Sequence, residues 1–197
     1  MNYLFHLYLS GDDPEILVGN LAGDFVKGRI GDDFSPGLAT GLRLHRRIDS
    51  FAQNHPCFVR SRNRLSPELG LYRGVVVDLC YDHFLSLNWS AFAADPLDRY
   101  LDRVRSIVEA RKDTLPQRLQ NLLPLIFDDF IPSYRTVSGI DHALKRLSHR
   151  IRQPNPLPAG GAELARHYDG LHRDFLAFLP EVGADARSFL AERIGSR

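Results

Sequence analysis

The chain has 197 residues, 44% of them hydrophobic and 25% charged, with a formal net charge of +1. This is globular composition, and the length suits one domain with a sizeable core, which excludes disorder, collagen and coiled coil. The small net charge conceals a basic stretch, since Arg43, Arg46, Arg47, Arg60, Arg62, Arg64 and Arg73 stand against only Asp49 and Glu68.

Helical periodicity recurs along the chain and no alternating strand pattern interrupts it, so the spacing predicts an all-α, single compact multi-helix domain over residues 1–197. A short apolar helix is expected at about 2–10; it lacks the basic start of a signal peptide and the length of a membrane span, which points to the cytoplasm. The next helix is expected from Pro14, a favoured first-turn residue, to Gly28, and a third from about Pro36 to Gln53, ended by Asn54-His55-Pro56. Further helices are expected at about 56–65, 68–88, 96–112, 117–131 and 136–152, then a Pro/Gly loop at 153–161 and two last helices at about 161–179 and 183–195. Cys57 and Cys80 lack metal-type spacing and read as structural thiols in a reducing compartment.

Polar residues on apolar helix faces carry the functional signal. In the segment 70–87, Asp78 and Asp82 are one turn apart and share a face with Leu71, Val75 and Leu85, which should turn inward. Buried carboxylates need a cation, a proton or a metal ion, because desolvation costs several kcal/mol per charge. In the second helix Asn20 and Asp24 share a face with Leu17 and Leu21. In the third, His45 and Asp49 stand four apart beside the apolar stripe, a spacing that lets both reach one ion or lets the aspartate orient the imidazole. Arg46 projects beside Asp49, whereas Arg43 and Arg47 diverge. His6 has apolar neighbours on every side, and His83 follows Asp82 at an angle of about 100°. His55, His142, His149 and His172 read as surface histidines.

One metal-centred site accounts for Asp24, His45, Asp49, Asp78, Asp82, His83 and His6 together. Mixed His/carboxylate donors suit Mn, Fe, Mg or Zn, and the lack of thiolates argues against structural zinc. With arginines adjacent, the inferred chemistry is hydrolysis of a phosphate ester, in which a metal acidifies water and arginine neutralises phosphoryl charge. The arginines prefer phosphate or an acidic protein, and no nucleic-acid module accompanies them.

The motifs Asn2-x-x-x-His6-Leu-x-Leu, Gly19-Asn20-Leu-x-x-Asp24-Phe25-Val26-x-Gly28, His45-Arg46-Arg47-Ile48-Asp49, Asp82-His83-Phe84-Leu85 with Trp89, and His167-Tyr168-Asp169 resemble, in identity and order, the acyl carrier protein phosphodiesterase family. The resemblance implies removal of the 4′-phosphopantetheine arm from holo-acyl carrier protein, a small acidic partner, with a divalent ion, usually Mn²⁺. It also implies a distant, divergent relation to the helical HD phosphohydrolases, whose metal dipeptide is His-Asp. Here the order is Asp82-His83, so the expected ligands follow face geometry: Asp24, His45, Asp49, Asp78 and Asp82. His6, His83 and Arg46 are the expected catalytic groups, with His6 and His83 each ligand, outer-shell residue or acid. Asn20, Arg43, Arg47, Arg60, Arg62 and Arg64 are the expected substrate contacts. Two competitors share parts of this pattern: an HD-like phosphohydrolase of nucleotides or other small esters, and a non-catalytic helical module that binds an acidic protein.

Overall fold

Proline at the first helical position, preceded by a side-chain cap, fixes three helix starts. Asp13 accepts from the amides of Glu15 and Ile16 before Pro14, Ser35 accepts from Leu38 N–H before Pro36, and His55 Nδ1 accepts from Cys57 N–H before Pro56. The computed structural model describes residues 1–194, and no strand occurs among them. Its main helices are α1 (Tyr3–Tyr8), α2 (Pro14–Ala22), α3 (Pro36–Asn54), α4 (Pro56–Arg64), α5 (Arg73–Leu87), α6 (Leu97–Glu109), α7 (Val137–Arg150) and α8 (Gly160–Ile194). The expected all-α fold is therefore the observed one. No helix among the described residues is long and apolar enough to cross a membrane.

Several boundaries differ from the periodic reading. The second helix stops at Ala22, and Gly23–Phe25 forms a 3₁₀ turn, so Asp24 leaves the helical face it was expected to share with Asn20. The segment before α5 is another 3₁₀ turn, Pro67–Tyr72, broken at Gly70, whose φ of 53° is open to glycine at no steric cost. Leu71 is consequently 98% exposed instead of buried beside Asp78. The helix expected at 117–131 is broken into Gln117–Gln120, Leu123–Leu125 and a π-turn Ile126–Phe130, where Pro124 and Pro132 cannot donate N–H bonds. The two expected C-terminal helices are one, α8, bent at His167 and continuous through Pro180; position 195 lies outside the described residues. His55 is buried rather than a surface residue, because it caps α4.

Helix α1, of only six residues, would not persist in isolation. It is held by aromatic packing between Phe5 and Phe178 of α8 (5.9 Å), with Tyr81 of α5 joining Phe178 at 5.4 Å. Helices α2 and α3 cross where two glycines meet: a Cβ on Gly41 would lie 2.2 Å from the carbonyl oxygen of Ile16, and one on Gly19 would lie 2.3 Å from that of Leu38. This crossing sets the distance between Asn20 and His45. Gly41→Ala is therefore expected to force the helices apart and lower stability by roughly 1–3 kcal/mol, the range for overpacking. Chemical denaturation checks this, and an unchanged midpoint would show that the crossing has slack.

Candidate active site

The site forms where α1, α2 and α3 converge. Asn20, fully buried, serves both imidazoles. Its Nδ2 donates to His6 O (2.8 Å) and Ser10 Oγ (2.9 Å), leaving Oδ1 to accept from His6 Nδ1 at 2.9 Å. Its backbone oxygen accepts from His45 Nδ1 at 2.8 Å. A carbonyl oxygen only accepts, so both histidines carry a proton on Nδ1 and turn Nε2 to the opposite side. The rings stack with centroids 3.9 Å apart and planes 9° apart. His6 Nε2 is buried with no hydrogen-bond partner and lies 3.3 Å from Asp49 Oδ1; His45 Nε2 lies 3.3 Å from Asp49 Oδ2 and 3.6 Å from Asp24 Oδ1.

These three residues each offer one donor atom, all within 4.8 Å of one another, a set able to hold a metal ion. Gly23 makes the approach possible, since a Cβ there would overlap the His45 ring at 2.0 Å. Burial and the neighbouring His45 drive the His6 pKa down to about 4. Burial also opposes charge on His45, but Asp24 and Asp49 outweigh it and raise its pKa to about 9. Although burial works against ionisation of Asp49, the two imidazoles and the Met1 amino group hold its carboxyl well below the usual range. Asp24, with a 62% exposed side chain, is lowered by His45.

The other expected residues have different places. Asp82 is 0% exposed and its two oxygens accept the amides of Leu4 and Phe5, each at 3.0 Å, at the start of α1. It thus anchors α1 and is not among the grouped donor atoms of His6, His45 and Asp49. Asp78 faces a cleft, with Oδ1 3.3 Å from the Met1 ammonium, which also lies 2.8 Å from Asp49 Oδ1. Burial raises the Asp78 carboxyl to about 6 against the pull of that ammonium. His83 has both ring nitrogens engaged, Nδ1 donating to Tyr134 O (2.7 Å) and Nε2 accepting from Tyr168 OH (3.1 Å), so neither is available as a proton donor at the site. Asn20 is too buried to touch substrate and is a positioning residue instead.

The arginines separate likewise. Arg47 pairs with Asp185 through Nε at 2.9 Å, binding α3 to α8. Arg60 (2.6 Å) and Arg64 (2.9 Å) both grip Asp174, a buried carboxylate of α8 that the sequence pattern had not singled out. All three are engaged in ion pairs, yet the Arg47 and Arg60 side chains stay 54% and 50% exposed. Arg43 is half-buried and lines neither opening of the site. Arg62 and Arg46 remain: Arg62 lines the cleft with Asp49 and Asp78, and Arg46 lines a second opening with Asp24 and His45.

The described residues thus form an all-helical domain in which paired imidazoles and a carboxylate sit between two arginine-bearing openings. Residues 1–182 match the acyl carrier protein phosphodiesterase family, and the chain belongs to it. Curated relatives named acyl carrier protein phosphodiesterase, among them those of Escherichia coli strains K12/DH10B, HS and SE11, are 31% identical over 188 residues, covering 94% of this chain and 97% of each relative. No solved structure matches the chain.

Proposed function

We propose that this enzyme removes the 4′-phosphopantetheine arm from the serine of holo-acyl carrier protein, giving apo-carrier protein and 4′-phosphopantetheine, with a divalent ion held by His6, His45 and Asp49. The observation that carries the proposal is the shared ring orientation: Asn20 takes up both Nδ1 protons, so both Nε2 atoms face one carboxylate. Like-polarity groups so arranged call for a cation, and the unpartnered Nε2 of His6 is the atom left over for it. Two nitrogens and a carboxylate suit Mn²⁺, with Mg²⁺ or Fe²⁺ as alternatives. When bound, such an ion supplies Lewis acidity, acidifying water and neutralising phosphoryl charge.

The chain's own groups do the rest. Asn20 keeps both rings in orientation. Arg46 on one side and Arg62 on the other bring guanidinium donors to the non-bridging oxygens, where bidentate hydrogen bonding fits phosphate. Asp78, poised near neutrality and facing the cleft, takes the proton of the attacking water and returns it to the serine oxygen as the P–O bond to serine breaks. Two free, buried cysteines accord with a reducing compartment, and we assign the enzyme to the cytoplasm.

Incubating holo-acyl carrier protein with the enzyme and Mn²⁺, followed by mass spectrometry, tests the reaction. Loss of the arm together with its phosphate is expected, and an unchanged mass would refute the proposal. The ion has its own signature, because it must displace the proton that His45 keeps up to about pH 9. Affinity for Mn²⁺ should therefore rise about tenfold per pH unit between roughly 6.5 and 9, with uptake of the ion releasing about one proton. Calorimetric titrations across that range measure this; a pH-independent affinity would place the ion elsewhere.

A further inference from the structure

Two openings meet at the site, and Asp24 and Asp49 are lining residues of both. They differ in shape and chemistry. The first is a cleft of ≈ 470 Å³ whose walls include Tyr3, Phe58, Val75, Leu79 and Leu147, with Arg62 and the Met1 ammonium as cations and Asp24, Asp49 and Asp78 as carboxylates. That volume lies within the roughly 300–1,000 Å³ typical of small-molecule sites with apolar walls and few polar groups. The second is a shallower depression of ≈ 300 Å³ lined by Lys27, Gly28 and Arg46 beside the acidic pair. Lys27, Arg29 and Arg46 are exposed there, and Gly28 turns the chain outward with a φ of 78°.

A phosphodiester has two substituents, and here they are unlike: a thin chain of methylene and methyl groups interrupted by two amides, and a folded protein. A protein surface is better accommodated by the more open, charged depression than by the less open cleft. A flexible chain, by contrast, gains from apolar walls that exclude water along its length. Resting on the phosphodiesterase reading above, we infer that the ≈ 470 Å³ cleft binds the pantetheine arm. The carrier's serine-bearing face then lies over the Lys27–Arg46 side, where basic residues meet an acidic partner.

Gly74 supplies the test. It lines the cleft, and a Cβ placed on it would meet nothing within 4 Å, so a larger side chain projects into the cleft without displacing a neighbour. Leucine also favours the helix more than glycine does. Isotope-labelled protein is titrated with free pantetheine, which lacks the phosphate, and followed by NMR. Shifts at Ala52, Val75 and Leu79 are expected in the parent, with affinity weakened at least about tenfold in Gly74→Leu, whose melting temperature and Mn²⁺ uptake report an intact fold and site. Shifts confined to Lys27, Gly28 and Arg46, equal binding by Gly74→Leu, or no binding of pantetheine would each overturn the assignment. Failure of the parent enzyme to cleave holo-carrier protein would instead count against the reaction, because the titration reads the cleft without turnover.

Discussion

Asp49→Asn is expected to leave the helical fold in place, abolish Mn²⁺ uptake and lower kcat/KM for holo-acyl carrier protein by roughly 10²–10³-fold, several kcal/mol at 1.36 kcal/mol per tenfold. The reasoning starts from position. Among the described residues Asp49 is the only carboxylate with one oxygen toward each imidazole, Oδ1 at 3.3 Å from His6 and Oδ2 at 3.3 Å from His45. Asparagine keeps the shape but removes the charge and turns one acceptor into a donor, so a binding loss cannot be attributed to a cavity. Without Asp49 the Nε2 pair offers two neutral donors, too few to hold Mn²⁺ at micromolar concentration against water. Equilibrium dialysis with metal analysis, beside steady-state kinetics and circular dichroism, checks the three parts. Full metal uptake by the variant would move the ion away from the histidine pair.

His45 and Asp49 were legible in the sequence because their four-residue spacing is decided within one helix, and His6 because every neighbour is apolar. What the sequence could not show is how partners far along the chain use up a polar group. Asp82 does need partners for its charge, as its apolar face implied, but they are two amides 78 and 77 residues away. Arg60 and Arg64 look like a free basic surface until α8 brings Asp174 against them. Asp24 was expected on the helical face of Asn20 by extrapolating periodicity through Gly23; the chain turns there instead and sets Asp24 Oδ1 3.6 Å from His45 Nε2. Proline was a sound guide at capped helix starts and misled at Pro180, because packing of the long α8 decides whether one missing N–H bond ends a helix.

The contrast between Asp82 and Asp49 yields the second large effect, on stability rather than chemistry. Asp82→Ala removes the acceptors of two buried amides, Leu4 and Phe5, and nothing else in α1 replaces them. Each stranded buried donor costs about 1–3 kcal/mol, offset in part because burying the carboxylate was itself unfavourable, which leaves a loss of about 2–4 kcal/mol. For a chain of this size that lowers the melting temperature by roughly 5–15 °C. Since α1 carries His6, the variant should bind Mn²⁺ more weakly as α1 frays, yet below its melting point it should still bind and turn over, because His6, His45 and Asp49 are all present. The two variants should thus divide the phenotype: Asp49→Asn folded but unable to take up the ion, Asp82→Ala unstable but active in the cold. Differential scanning calorimetry and metal uptake on both proteins separate them, and a thermally normal, metal-free Asp82→Ala would show that Asp82 is a ligand after all.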